Sequence, residues 1–302
     1  MEFQTIKEGR IFYFHGPVNI GYLRNHNEGM LIDAGIDSST MKKVLKRLRE
    51  EELPITHLFI THAHSDHYGG AAFLQSKKDV QTVAPVLESA ILQYPVIEPL
   101  YLFGGNDPLP ELRNKFLEGT PVRIDQELED GSWQIGNFAI ETILLPGHSY
   151  HQLGLLYDGI LFAGDSYFGK EQLDKHGIPY LTDTQLAMES LHKLKGITCE
   201  GAVPGHGVFE QEFRHTVQAN LDYHDGLLDW VEEELQKKPN GTTHEEITAL
   251  MCAHYQVRAD QLSQWLLFRT AVTAYLTALL KQNRITTEIK DYRWVFKPLK
   301  GV

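Results

Sequence analysis

The chain has 302 residues, of which 42% are hydrophobic and 23% charged. These are ordinary globular values that exclude a disordered chain, and no apolar run approaches the ~20 residues a spanning helix needs. The formal charge of −12 disfavours a protein whose main task is gripping phosphate backbones, which takes Lys and Arg to displace counterions.

The N-terminal stretch MEFQTIKEGRIFYF has acidic residues and no apolar core of a secretory signal. With only Cys199 and Cys252, it points to a reducing, cytoplasmic setting. RIFYFHG, VNIGYLRN and GMLIDAG read as consecutive strands separated by turn residues. SSTMKKVLKRLREE follows as an amphipathic helix, with serines as candidate caps and Met41, Val44, Leu45 and Leu48 at helical spacing. THLFIT is a strand, GGAAFLQS a helix, VQTVAP a strand and PVLESAILQ a helix, an alternation that predicts an α/β layer architecture. YPVIEPLYLFGGNDPLPELRNKF, with four prolines and a Gly-Gly, reads as a long loop carrying a short helix, the composition of a lid over a site. Strands resume at PVRIDQEL, FAIETILL, LGLLYD and ILFAG, then a helix over roughly 183–194 and a short strand GAVP.

After PGHGVF the pattern turns to long helices: EFRHTVQANLDYHDGLLDWVEEELQKK, then HEEITALMCAHY behind a Thr242/Glu245 capping box, then ADQLSQWLLFRTAVTAYLTALLKQ. TTEI and YRWVF close the chain as a hairpin. This predicts two domains, 1–213 and a smaller, mainly helical, winged-helix-like 214–302. The segment 214–302 has 11 basic and 11 acidic residues, so 1–213 carries the whole −12; within the tail, 258–302 has 8 basic and 3 acidic residues.

The chemistry concentrates at THAHSDHYGG. On an extended segment His62, His64 and Asp66 face one way, and His67 joins them if the chain turns. Imidazoles and carboxylates crowded in this way suit a borderline cation such as Zn²⁺. One turn cannot surround an ion, so remote partners are expected, and His148 (ILLPGHS), Asp165 (ILFAGDS) and His206 (AVPGHG) each end a strand-like run beside a glycine. His15, His26, His57, His176, His192, His215, His244 and His254 lack ligand spacing and read as surface or structural residues.

The ordered set T-H-x-H-x-D-H-x-G-G, P-G-H-S, G-D-S and P-G-H-G, with Asp33 in LIDAG ahead of it, resembles the metallo-β-lactamase fold superfamily, and within it the hydroxyacylglutathione hydrolase (glyoxalase II-like) branch. The resemblance covers residues 33–206. It implies an αββα sandwich and two divalent metal ions, most often Zn, with Fe or Mn as alternatives. One ion would be held by His62, His64 and His148, the other by Asp66, His67 and His206, with Asp165 bridging. A metal-bridging hydroxide would then attack a small carbonyl substrate, a thioester, ester or lactone, with Asp66 and Asp165 as the catalytic carboxylates. Asp33 would be a structural acceptor. Where many relatives continue x-Gly-Ser or x-Gly-His after this motif, the chain has Tyr150, His151 and Gln152, which weakens a glutathione reading.

Tyr68, His151, Tyr167 and His224 are candidate substrate contacts, with packing as the competing explanation for each. The segment 95–110 and the C-terminal helices are expected to wall the substrate pocket. The rival reading is a metal-dependent endonuclease on single-stranded RNA or DNA, with the basic tail as its grip. A third is non-catalytic, with any metal structural and the C-terminal domain serving dimerisation or partner binding, so a homodimer is one expectation; no membrane partner is expected.

Overall fold

In the computed structural model, which describes residues 1–299, a seven-stranded sheet runs in chain order. Its strands are β1 (Glu2–Lys7), β2 (Ile11–His15), β3 (Ile20–Asn25), β4 (Glu28–Ile32), β5 (His57–Phe59), β6 (Gln81–Pro85) and β7 (Gln126–Leu128). β1 to β4 form an antiparallel meander and β4 to β7 are parallel. A second sheet contains β8 (Gly131–Ile135), β9 (Phe138–Leu144), β10 (Leu153–Tyr157), β11 (Ile160–Gly164) and β12 (Gly201–Pro204). It is antiparallel except for β12, which lies parallel to β11.

Alternation along the strands decides how the sheets stack. Ile11, Tyr13, Met30 and Ile32 turn inward to meet Phe138, Leu155 and Phe162 of the second sheet. Phe14, Tyr22 and Leu31 turn outward onto Met41, Val44 and Leu48 of helix α1 (Ser38–Glu50). The cap of α1 is Asp37, one residue ahead of the serines expected for it; its Oδ1 accepts from Thr40 N at 3.0 Å, a contribution of about 1 kcal/mol. Four short helices line the loops that follow on this side: α2 (Ser65–Tyr68), α3 (Ala71–Lys77), α4 (Glu88–Gln93) and α5 (Ile97–Leu102).

After α6 (Lys170–His176), α7 (Thr184–Gly196) covers the outer face of the second sheet together with α8 (Arg214–Gln236). There Leu191, Leu194, Val217 and Leu221 pack on Leu161, Ala163 and Ala202. The architecture is the α/β layering that the strand and helix alternation predicts, in the αββα arrangement that the resemblance implies.

The far half of α8 belongs to a second core. Leu227, Leu228, Val231 and Leu235 meet Ile247 and Met251 of α9 (His244–His254), Val272, Tyr275 and Leu279 of α10 (Leu262–Lys281), and Phe296. A small sheet of order β13-β15-β14 closes this region, from β13 (Thr242–Thr243), β14 (Ile285–Lys290) and β15 (Arg293–Pro298). Asp291 and Tyr292 join the last two strands, both left-handed at φ 50° and 62°, as a two-residue type I′ hairpin turn requires. The proline-rich segment folds against α10, where Leu102, Leu112 and Leu117 pack on Leu266. Among the described residues no helix is long and apolar enough to cross a membrane.

Candidate metal centre

Five strands of common polarity end at one place. β4 and β5 of the first sheet deliver Asp33 and the His62 loop; β9, β11 and β12 of the second deliver the loop of His148, then Asp165 and the loop of His206. Backbone hydrogen bonds tie the sheets here: Leu153 N donates to Thr61 O at 3.0 Å and Asn19 N to Gly205 O at 2.8 Å.

The turn that His67 needs is α2, a single helical turn. With it in place, three donor groups form: His62, His64 and His148; His62, His67 and Asp165; and Asp66, His67 and His206, the ligand atoms of each group lying within 4.8 Å of one another. His64 Nδ1 faces His62 Nε2 at 3.1 Å and His148 Nε2 at 2.8 Å. Asp165 stands between the ends, with carboxylate oxygens 3.3 Å from His67 Nε2, 3.4 Å from His148 Nε2 and 3.2 Å from His206 Nε2. His206 Nε2 is also 3.3 Å from Asp66 Oδ2.

The opposite edge of most rings is already occupied. His67 Nδ1 donates to Asp33 Oδ2 at 2.7 Å, His148 Nδ1 to Tyr180 O at 3.1 Å and His206 Nδ1 to Pro17 O at 2.6 Å, while His62 Nδ1 lies 3.0 Å from Thr61 Oγ1. Such partners fix a ring's orientation and leave the inner nitrogen as a lone-pair donor. The set fits a metal on two observations. His67 Nε2 and Asp165 Oδ1 are buried facing each other at 3.3 Å, with no hydrogen bond between them or to any other group, and Gly205 leaves them room, since a Cβ there would stand 1.9 Å from Asp165 Oδ1.

The electrostatics divide the ring. Burial holds His62 well below the ordinary imidazole value and pulls His64 down to about 4 and His148 to about 3. At the other end burial also opposes charge, but the carboxylates win: Asp165 and its neighbours raise His67, and lift His206 to about 10. In turn these two rings hold the Asp66 and Asp165 carboxyls low against the effect of burial. The carboxylates make this end of the cluster favourable to positive charge, which suits a bound cation.

Several supporting residues carried no signal in the sequence. Glu88, only 2% exposed, staples two ligand loops: its Oε2 accepts from Ala63 N at 2.9 Å, and its Oε1 from Ser149 Oγ at 2.8 Å and His151 N at 2.9 Å. Gln152, inside the departure Tyr150-His151-Gln152, accepts from Asp165 N at 2.9 Å and so holds the backbone of that residue. Asn19 Nδ2 donates to Pro204 O and Gly207 O, bracketing the His206 loop. His15 and His176, read from the sequence as surface or structural residues, border the site: His15 Nδ1 lies 3.2 Å from Asn19 Oδ1, and the His176 ring lies 6.3 Å from that of His206. Tyr180 sets its ring 5.3 Å from His64.

Of the four candidate substrate contacts, the structure keeps His151 on the ligand loop, with a buried Nδ1 that has no partner. The other three are corrected to packing residues. Tyr68 is fully buried with its hydroxyl taken by Gly119 N at 3.0 Å, Tyr167 is 1% exposed beside Phe213, and His224 Nδ1 pairs with Tyr275 Oη at 2.8 Å. Asp33 is the structural acceptor expected, bonded to Thr61 N at 2.8 Å and held at φ 65°, a left-handed conformation that Asp tolerates better than most residues.

The Metallo-beta-lactamase superfamily profile matches residues 13–206, and the chain belongs to that superfamily. Among curated relatives it is 25% identical over 201 residues to the atrochrysone carboxyl ACP thioesterase of Aspergillus fumigatus, covering 65% of this chain and 52% of that protein. It is 25% identical over 177 residues to the hydroxyacylglutathione hydrolase of Rhodopseudomonas palustris, covering 57% of this chain and 58% of that one. The chain thus spans about half the length of the curated relatives it matches. In three dimensions it is similar to a beta-lactamase domain protein from Burkholderia ambifaria (TM-score 0.75, 18% identity, 98% of this chain and 93% of that one). A metallo-beta-lactamase family protein from Thermus thermophilus is comparable (TM-score 0.73, 17% identity, 95% and 97%). At such identities these structures speak for the fold, and they do so through the C-terminal region as well.

Proposed function

We propose that the protein is a dinuclear metal-dependent hydrolase of a small carbonyl substrate, with a thioester first among thioester, ester and lactone. The observation that carries the reading is the convergence of seven His and Asp donors around two orphaned buried atoms, His67 Nε2 and Asp165 Oδ1. His62, His64 and His148 would hold one ion, and Asp66, His67 and His206 the other, with Asp165 shared. Two divalent ions, zinc by preference for this donor set, would supply Lewis acidity and a water that ionises near neutral pH.

The chain's own part is positional. Asp165, anchored by Gln152, sets the spacing between the two half-sites, and Glu88 locks the loops of His62 and His148 to each other. Exposed Leu87 and Tyr150 flank that Glu88 staple and offer apolar surface to an acyl group. Both curated relatives named above are hydrolases and one is a thioesterase, which supports placing thioesters first. In this reading residues 1–213 are the catalytic unit, and the winged-helix-like 214–302 backs the wall made by the proline-rich segment.

A second reading, a metal-dependent endonuclease, draws on the exposed hairpin, where Lys290 and Arg293 stand beside Tyr292 and Trp294. Metal-loaded protein assayed against acyl thioesters, esters, lactones and a single-stranded RNA decides between them. Turnover of a carbonyl substrate that Asp165→Asn abolishes supports the first. Cleavage of RNA with every carbonyl substrate inert establishes the second.

A further inference from the structure

Away from the metal centre, a cavity of about 660 Å³ lies between the start of α9, the middle of α10 and the turn of the final hairpin. Two guanidinium groups line it, those of Arg269 and Arg293. Neither forms an ion pair among the described residues; Arg269 instead lies over the Trp265 ring at 5.9 Å. One carboxylate, Glu245, is among the lining residues. The local balance is therefore positive in a protein whose total is −12; the first turn of the 11-residue helix α9, capped by Thr243 Oγ1 on Glu246 N, adds the partial positive charge of its remaining N–H groups.

The second observation is His244, which lines the same cavity and is 4% exposed. The Thr273 hydroxyl donates to Arg269 O at 2.7 Å, so it accepts from His244 Nε2, also at 2.7 Å. That assignment makes Nδ1 of the neutral ring an acceptor, and Nδ1 is buried with no partner. A buried acceptor in this position calls for a donor that the chain does not supply. The third observation is an aromatic face: Trp294 stacks on His244 at 5.9 Å with an interplanar angle of 10° and is 41% exposed.

An anion for the arginines, a hydroxyl or N–H for His244 and a flat ring for Trp294 describe one kind of molecule. We propose that this cavity binds a nucleoside phosphate, with the phosphoryl group between Arg269 and Arg293 at the start of α9, a ligand donor on His244 Nδ1 and the base along Trp294. The site is independent of the hydrolase reading. It is nonetheless in touch with the metal centre, since Thr182 lines it and donates through Oγ1 to Gly147 O at 3.1 Å, the residue before His148.

The test uses the full chain, metal-loaded, titrated by calorimetry and by tryptophan fluorescence with AMP, coenzyme A, inorganic phosphate and a single-stranded RNA decamer. The expected result is saturable binding of AMP or coenzyme A, with Kd raised at least ~10-fold by Arg269→Gln and by Arg293→Gln, and the fluorescence change lost in Trp294→Leu. Tighter binding of coenzyme A than of AMP identifies the handle of a larger cofactor-linked ligand; equal binding identifies the free nucleotide. Three outcomes overturn the proposal: no saturable binding of either nucleotide, binding that both arginine variants leave unchanged (which places the phosphate at the metal cluster), and binding confined to the RNA decamer.

Discussion

Gly205→Ala is expected to empty or distort the metal centre while leaving the fold standing. The added Cβ would lie 1.9 Å from Asp165 Oδ1 and 2.8 Å from His67 Cε1, and ordinary contact begins at 3.4 Å. Something must retreat by more than an ångström. The backbone of Gly205 is pinned from both sides, its N–H donating to Gly164 O at 2.6 Å and its carbonyl accepting from Asn19 N at 2.8 Å. The Asp165 main chain is likewise held by Gln152 at 2.9 Å. The movement therefore falls on the Asp165 carboxylate and the His67 ring, the two groups that join the half-sites. A misplacement of about 1 Å in a catalytic constellation costs on the order of 10²-fold in rate, whereas Gly205 has no left-handed φ to strain, so Tm should shift by only a few degrees, for roughly 1 kcal/mol of repacking. Elemental analysis, kcat on whichever carbonyl substrate is turned over, and a melting curve in excess metal read the three quantities. A variant that keeps two ions per chain and near-normal kcat would refute the reasoning, because it would show that Asp165 Oδ1 does not occupy the shared position.

The parent protein purified without chelator should contain two first-row ions per chain by elemental analysis, and Asp165→Asn should lower turnover by at least ~10²-fold with the far-UV spectrum unchanged. Asp33→Asn removes the anionic partner of His67 Nδ1 and should weaken metal binding ~10- to 100-fold, read by competition with a chromophoric chelator. Gln152→Leu strands the buried Asp165 N–H and should cost about 1–3 kcal/mol of stability in denaturant unfolding. Burial lowers His224 to about 4, so between the ordinary value of ~6.5 and that pH the unfolded chain takes up a proton the fold refuses. Stability should fall as pH drops through this window, by up to ~3 kcal/mol, and His224→Gln should flatten that part of the curve relative to the parent.

The clustering of these His and Asp residues was legible because each follows a strand of recognisable pattern, and strands of common polarity in a layered fold end together. His67 needed one further fact, the turn of α2, which is only four residues long and too short for periodicity to show. The edge strand β1 escaped notice since EFQTIK has no fully buried position and so no apolar face to alternate. Strand β8 (GSWQI) buries only Ile135 fully, and α6 buries only Leu173. Glu88 and Asn19 were illegible for a different reason. A charged or amide residue reads as exposed unless its partners are known, and those of Glu88 come from residues 63, 149 and 151 while those of Asn19 come from 204 and 207. Tyr68 and Tyr167 illustrate the reverse error, in which closeness to a motif along the chain suggested a contact where the side chain is buried in packing, and His224 faces Tyr275 in the second core rather than the site.

The donors of the cluster are split between the two sheets, four on the loop after β5 and three on loops after β9, β11 and β12. Neither sheet alone offers more than part of a coordination sphere, and the nearest pair of ligands across the divide, His67 and His148, is 81 residues apart in sequence. A cation gripped there acts as a rivet through the seam of the sandwich. On the proposed function, its affinity for the assembled sheets would add to their stability by mass action, and the complete donor set would form only once β12 has docked. A full complement of ions would then report that both sheets have closed.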